Sequence, residues 1–163
     1  MNSRIVALLA ALAAGLALGI ALASERWGGL VPCALCLWER WPYRVAIALG
    51  LVGAALPVRQ ARWVLWLLVL CALVGAALGA VHVGVEWKFW PSPLPECVAP
   101  DLGGLSLSER LARMPARPSK PCDDPTYLIP FLPVSMAMMN FLYDLVFAAT
   151  IAWYLRRGQR SPP

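Results

Sequence analysis

Four of the five cysteines in this 163-residue chain lie outside its apolar runs. Cys33 and Cys36 form a C-x-x-C, Cys33-Ala34-Leu35-Cys36, just ahead of a hydrophobic segment, and Cys97 and Cys122 lie on either side of a polar stretch. Two such pairs at the margin of apolar segments suit electron transfer by thiol–disulfide exchange, in which a thiolate attacks one sulfur and another sulfur leaves. Arg40 follows Cys36 by four residues, one turn along a helix that begins at the pair. Its guanidinium cannot deprotonate, and a cation beside a helix N-terminus favours a thiolate. An ion pair with Glu39 or with lipid headgroups is the structural alternative for Arg40. Zinc is the alternative for the C-x-x-C, but zinc takes four ligands, usually with a second close Cys or His pair. Cys97 and Cys122 are widely spaced and His82 is the only histidine, so the spacing points to no metal. Cys71, inside an apolar run, reads as a buried small hydrophobe.

The elements that must carry these residues are membrane helices. The chain is 60% hydrophobic and 14% charged, more apolar than a soluble domain of this length can hide. Residues 5–23 and 63–81 are uncharged for 19 residues each, and 134–155 holds one charge, Asp144, in 22. Residues 45–58 are uncharged but short, and Trp41 to Tyr43 extend them. A span needs about 20 apolar residues. The expectation is an all-α membrane protein, a four-helix antiparallel transmembrane bundle in one domain. Its spans fall at about 5–23, 41–58, 63–81 and 134–155, with two outward loops at about 24–40 and 82–133. Arg4, the apolar run and Ala21-Leu22-Ala23 before Ser24 also resemble a cleavable signal peptide. The run exceeds the roughly 7–15 residues of a signal core, which favours a retained helix.

Arg4, Arg59, Arg62, Arg156, Arg157 and Arg160 then share one face with no acidic residue among them, while the opposite loops carry eight Lys/Arg and eight Asp/Glu. The raw count, with Arg40 and Arg44, runs against placing the six arginines inside. Their density in short segments supports it. Both termini are therefore expected in the cytoplasm and both cysteine pairs on the oxidising side, where disulfides persist. The net charge of +5 matches anionic lipid and calls for no nucleic-acid partner. Trp27, Trp38, Trp41, Trp63, Trp87, Trp90 and Trp153 fall near span ends, where indole rings favour the interface of the bilayer.

Ten of the fifteen prolines fall in the second loop. Pro91-Ser92-Pro93 and Pro95, and later Pro115, Pro118 and Pro121, predict stiff extended arms. Between them Ser106 and Glu109 form a capping-box pattern. Leu107, Leu111 and Met114 share one helical face, away from Arg110 and Arg113. A short amphipathic helix follows, lying on the membrane or packed on the protein. A wide loop on such arms is a poor staple for Cys97 and Cys122 and a suitable exchangeable pair. A static bridge is the alternative, and it leaves the C-x-x-C without an exchange partner. Asp144, mid-span with Asn140 one turn earlier, is either functional by its depth or a neutral carboxyl hydrogen-bonded to a neighbouring helix.

The segment Cys33-Ala34-Leu35-Cys36-Leu37-Trp38-Glu39-Arg40 resembles the C-x-L-C-x-x-E-R segment of the DsbB family of bacterial disulfide-bond formation proteins. Pro91-Ser92-Pro93 followed by Cys97 is similar to that family's second loop, and Cys122-Asp123 to its fourth cysteine. The resemblance covers about residues 5–155. It implies a quinone-dependent protein-disulfide oxidoreductase of the bacterial inner membrane that reoxidises a DsbA-like thioredoxin-fold protein. It implies disulfides Cys33–Cys36 and Cys97–Cys122, with Cys97 attacked by the reduced partner and Cys122 released. Cys33 then receives electrons from Cys122 through an inter-loop disulfide, and Cys36 is the thiolate facing a ubiquinone or menaquinone ring. Arg40 and His82 are the implied quinone-binding residues, with a solvent-facing interface histidine as the alternative for His82. Two other readings stay open. One is a paralogue or vitamin-K-epoxide-reductase-like bundle serving a different dithiol partner; the other is a metal-binding or structural membrane protein with static disulfides.

Overall fold

An uncharged run of span length must satisfy its backbone internally, and a helix does so. The computed structural model describes residues 2–97, 104, 106–112, 120–129 and 131–160, and the described residues are helical without a strand. The elements are α1 (Ser3–Arg26), α2 (Ala34–Ala55), α3 (Val58–Glu86), a 3-10 turn at Pro95–Cys97, the short α4 (Leu107–Ala112) and α5 (Met136–Arg160). Helices α1 and α3, and Met136–Arg157 of α5, are long and apolar enough to cross a membrane. Helix α2 falls outside that group because Glu39, Arg40 and Arg44 occupy its first half.

Helix α1 packs on α2, α2 on α3, and α3 on α5, with α1 also touching α3. Their common core runs from Ala7 and Ala10 through Tyr43, Leu65 and Leu68 to Ile151 and Leu155. Small residues let the backbones approach where lipid supplies no hydrophobic drive between helices. A Cβ on Gly50 would lie 2.7 Å from the Ala7 carbonyl oxygen and 2.8 Å from Ala11 Cβ. Outward-facing Leu8, Leu12 and Leu16 are exposed, as are all eight tryptophans, which is the pattern of a surface solvated by lipid.

The helix ends are tied by named groups. The Asn2 side chain accepts from the Arg4 amide to cap α1. At the same end, Arg4 Nε donates to the Ala54 carbonyl at 2.8 Å and Arg62 Nη2 to the Leu155 carbonyl at 3.0 Å. At the other end α3 closes with Lys88 in the left-handed region (φ 60°) and the Phe89 amide donating to the Gly84 carbonyl at 2.9 Å, a C-terminal capping geometry. The Ser135 hydroxyl donates to Glu86 Oε2, joining the end of α3 to the start of α5.

The predicted capping box forms. Ser106 donates to Glu109 Oε2 from its hydroxyl at 2.6 Å and from its amide at 2.9 Å, and these bonds hold the Glu109 carboxyl below its ordinary range. Leu107 and Leu111 are exposed. Arg113, Met114, Pro115 and Pro118, and the Arg110 side chain, lie outside the described residues.

One group differs from expectation. Cys71 is half-buried and its thiol donates to the Pro42 carbonyl at 3.1 Å, because that carbonyl keeps a second lone pair open to α3. The Tyr43 hydroxyl of α2 donates to Asn140 Oδ1 and also interacts with the Asp144 carboxyl, the bond to a neighbouring helix expected of Asp144. Asp144, 2% exposed, packs on Gly75 of α3, where a Cβ would overlap its carboxylate. Its Oδ2 finds no hydrogen-bond partner among the described residues.

The Gly50 contact sets a packing test. Gly50→Ala pushes a methyl against backbone that cannot turn away, and overpacking of this kind costs about 1–3 kcal/mol. Gly15→Ala, with nothing within 4 Å of its Cβ position, is the control. Thermal unfolding in detergent should show a lowered midpoint for the first and none for the second.

Candidate active site

The site begins where α2 begins. Cys33 is the N-cap, extended at φ −83° and ψ 171°, and its sulfur accepts from the Cys36 amide at 3.1 Å. The helix therefore starts ahead of the span expected from residue 41, and it begins at the C-x-x-C, which puts Arg40 one turn after Cys36. A sulfur can occupy the cap because an N-cap acceptor satisfies an amide left unpaired by the helix. That position also sets the sulfur in the positive field of the helix N-terminus. Cys33 and Cys36 are bonded, with Cα atoms 5.1 Å apart.

The long loop brings the second pair onto this turn. Cys97 closes the 3-10 turn and is bonded to Cys122, with Cα atoms 4.9 Å apart. The Cys122 amide donates to the Cys97 carbonyl at 3.2 Å. Cys33, Leu35, Val85, Cys97 and Cys122 form one buried apolar cluster against which Cys36 packs. The C-x-x-C and the loop pair thus share one cluster. Disulfide sulfurs are weakly polar, and Leu35 with Val85 gives them an apolar wall. Within the first pair the two sulfurs differ: Cys33 is 2% exposed, while Cys36 is half-buried.

His82 lies in the last turns of α3 and is buried at 3% exposure. The interface-histidine alternative is thereby overturned. Glu39 of α2 reaches it, with Oε1 2.8 Å from Nδ1, and Nε2 stands 3.4 Å from Cys33 Sγ. A carboxylate on Nδ1 fixes the tautomer that Nε2 presents. Arg40 does not pair with Glu39. Its Nη2 bonds Glu25 Oε2 of α1 at 2.7 Å. The sequence motifs assign Glu25 and Glu39 no site role; the available signal is the rarity of carboxylates beside apolar runs.

Beside Cys36 lies a cavity of about 210 Å³ between α1, α2 and α5. Leu16, Ile20 and Met139 line it, and Cys36, Arg40 and Tyr43 enter its wall from α2. Its volume exceeds the ~150 Å³ apolar cavity that admits a benzene ring. A flat apolar ring with electronegative oxygens fits this lining: apolar walls, the half-buried Cys36, and Arg40, 9% exposed, as the donor. His82 is not among the lining residues; it stands behind Cys33.

A family model described as disulfide bond formation protein DsbB matches residues 3–154. A disulfide bond formation protein B of Acidovorax sp. (strain JS42) is 32% identical over 140 residues, 83% of this chain and 77% of that protein. An uncharacterized protein of Rickettsia prowazekii (strain Madrid E) is 30% identical over 128 residues, 76% of this chain and 72% of that protein. No solved structure matches.

The unequal exposure of the paired sulfurs has a direct readout. After anaerobic reduction without denaturant, an apolar maleimide should label Cys36 about tenfold faster than Cys33, since access governs thiol reactivity alongside thiolate character. Mass spectrometry of the labelled peptide Cys33–Arg40 measures the ratio, and equal rates would contradict the arrangement.

Proposed function

The chain belongs to the DsbB family of disulfide bond formation proteins, and from that membership we propose that it reoxidises a periplasmic DsbA-like dithiol protein and delivers the electrons to a membrane quinone. In this reading α1, α2, α3 and α5 cross the bacterial inner membrane as a four-helix antiparallel bundle. Both termini face the cytoplasm and the cysteine loops face the periplasm. The observation that carries the reading is the unequal surroundings of one bridge. Cys33 shares an apolar cluster with Cys97 and Cys122, while Cys36 opens on the cavity beside Arg40.

The chemistry proceeds by exchange. A thiolate of the partner attacks Cys97 Sγ, the Cys97–Cys122 bond breaks, and Cys122 leaves as a thiolate. Cys122 Sγ attacks Cys33 Sγ, the Cys33–Cys36 bond breaks, and Cys36 leaves into the cavity. The partner's second thiol then closes its own disulfide and releases Cys97, whose attack on Cys122 re-forms the loop bridge and frees Cys33. Two electrons and two protons have now moved from the partner to the Cys33–Cys36 pair. Cys97 and Cys122 are buried, so the partner engages them by lifting the loop from α2.

The residues at the cavity divide the remaining tasks. A bound quinone supplies a two-electron, two-proton acceptor. Arg40, held by Glu25, stabilises the Cys36 thiolate and directs the ring oxygens. His82 takes the proton from the Cys33 thiol through Nε2, and Glu39 stabilises the imidazolium through Nδ1.

Anaerobic titration of the purified protein with quinone and a reduced DsbA-type protein, following the thiol state of each cysteine, tests the scheme. Cys36→Ser should abolish quinone reduction, and full retained turnover would sink the assignment. Arg40→Ala should raise the quinone KM about tenfold or more, with Arg40→Lys intermediate, because a lysine keeps the charge but not the planar fork. An unchanged KM in both would remove Arg40 from the site.

A further inference from the structure

We propose that opening the Cys33–Cys36 bridge creates a zinc site from Cys33, Cys36 and His82, with Glu39 as the carboxylate behind the histidine. The spacing of cysteines along the chain argued against a metal because no second close pair accompanied the C-x-x-C. The fold supplies the missing ligand from α3. One ligand atom from each of the three residues lies within 4.8 Å of the others. His82 Nε2 stands 3.4 Å from Cys33 Sγ, close to the roughly 3.6 Å edge that Zn–N and Zn–S bonds impose on a tetrahedron. The two sulfurs belong to a C-x-x-C at a helix start, a spacing common in zinc sites.

The surroundings match a built metal ligand. A zinc-bound histidine usually gives its other ring nitrogen to a carboxylate, which fixes the tautomer and raises its basicity. Glu39 Oε1 already lies 2.8 Å from His82 Nδ1, with both side chains buried. The Cys36 amide points at Cys33 Sγ, an added donor to a metal-bound thiolate. Three protein ligands leave the fourth position for water or an external thiol.

The site is gated by redox state. While the bridge is closed its sulfurs are spent on each other. When a dithiol delivers two electrons and two protons, the bond opens to two thiols, and zinc replaces the two thiol protons. The reduced form then holds both sulfurs on the metal, so zinc blocks its return to the disulfide. The inference needs only a reducible bridge and rests on neither the quinone nor the protein partner.

The probe is Co²⁺, read by its thiolate-to-cobalt absorption and displaced by Zn²⁺. It is titrated into the full-length chain carrying Cys97→Ser and Cys122→Ser, reduced anaerobically and freed of reductant. One Co²⁺ per chain should bind after reduction and none before. Cys33→Ser should remove the band, which excludes Cys71 as the source. His82→Ala should weaken binding about tenfold or more, His82→Cys should restore it with a red-shifted band, and Glu39→Gln should weaken it by about 10–100-fold. Absence of the band in the reduced protein, or equal affinity in the His82→Ala and unsubstituted histidine chains, would overturn the site. The assay contains no quinone and no partner, so its failure leaves the oxidase reading untouched. Failure of quinone turnover likewise leaves the metal site standing.

Discussion

The hydrogen bond from the Cys36 amide to the Cys33 sulfur fixes where α2 begins, and the register of that helix arranges the active end of the molecule. With the helix running from Ala34, Cys36, Glu39, Arg40 and Tyr43 fall at i, i+3, i+4 and i+7. Those positions share one helical face, and all four line the same cavity. A start at residue 41 would leave Glu39 and Arg40 on loop backbone with no such alignment. The Cys33 sulfur thus caps the helix that carries Cys36, Glu39 and Arg40 to the cavity.

A single face cannot be satisfied by α2 alone. Glu39 and Arg40 are adjacent in sequence and opposite in charge, yet each turns to another helix: Glu39 to His82 of α3 and Arg40 to Glu25 of α1. Pairing with each other would leave His82 buried without a carboxylate, and buried polar groups without partners are destabilising. The crossed arrangement gives both His82 and Arg40 a partner and separates them. His82 serves the side of the bridge that faces the loop cysteines, and Arg40 serves the side that faces the cavity.

The scaffold is built for close approach. Gly50 and Gly53 bring α2 against Ala7 and Ala11 of α1, while Gly75 and Gly79 bring α3 against Asp144 and Phe141 of α5. The cavity opens where large side chains such as Leu16, Ile20 and Met139 replace these small ones. Tyr43 belongs to both regions, packing in the core and reaching Asn140 from the cavity wall.

Much of this was legible in the chain. The apolar runs announce helices because lipid leaves the backbone no other partner, and three of the four emerge as candidate spans. Ser106 and Glu109 announce a cap because their contact closes within one turn. The C-x-x-C and Arg40 announce redox chemistry because four residues along a helix suffice to bring them to one face. Each of these rests on interactions local in sequence. His82 against Cys33 is 49 positions away, Glu39 to His82 is 43, and Arg40 to Glu25 is 15. No periodicity encodes such distances. The burial of Cys97 and Cys122 on Leu35 and Val85 likewise depends on where a proline-rich loop lands. The sequence by itself determined the class of protein, its helices and the family to which its cysteine motif points. Only the packing of α1 and α3 on either side of α2 decided which carboxylate meets His82, which meets Arg40 and which sulfur faces the cavity, because those choices belong to surfaces that come together only in the folded state.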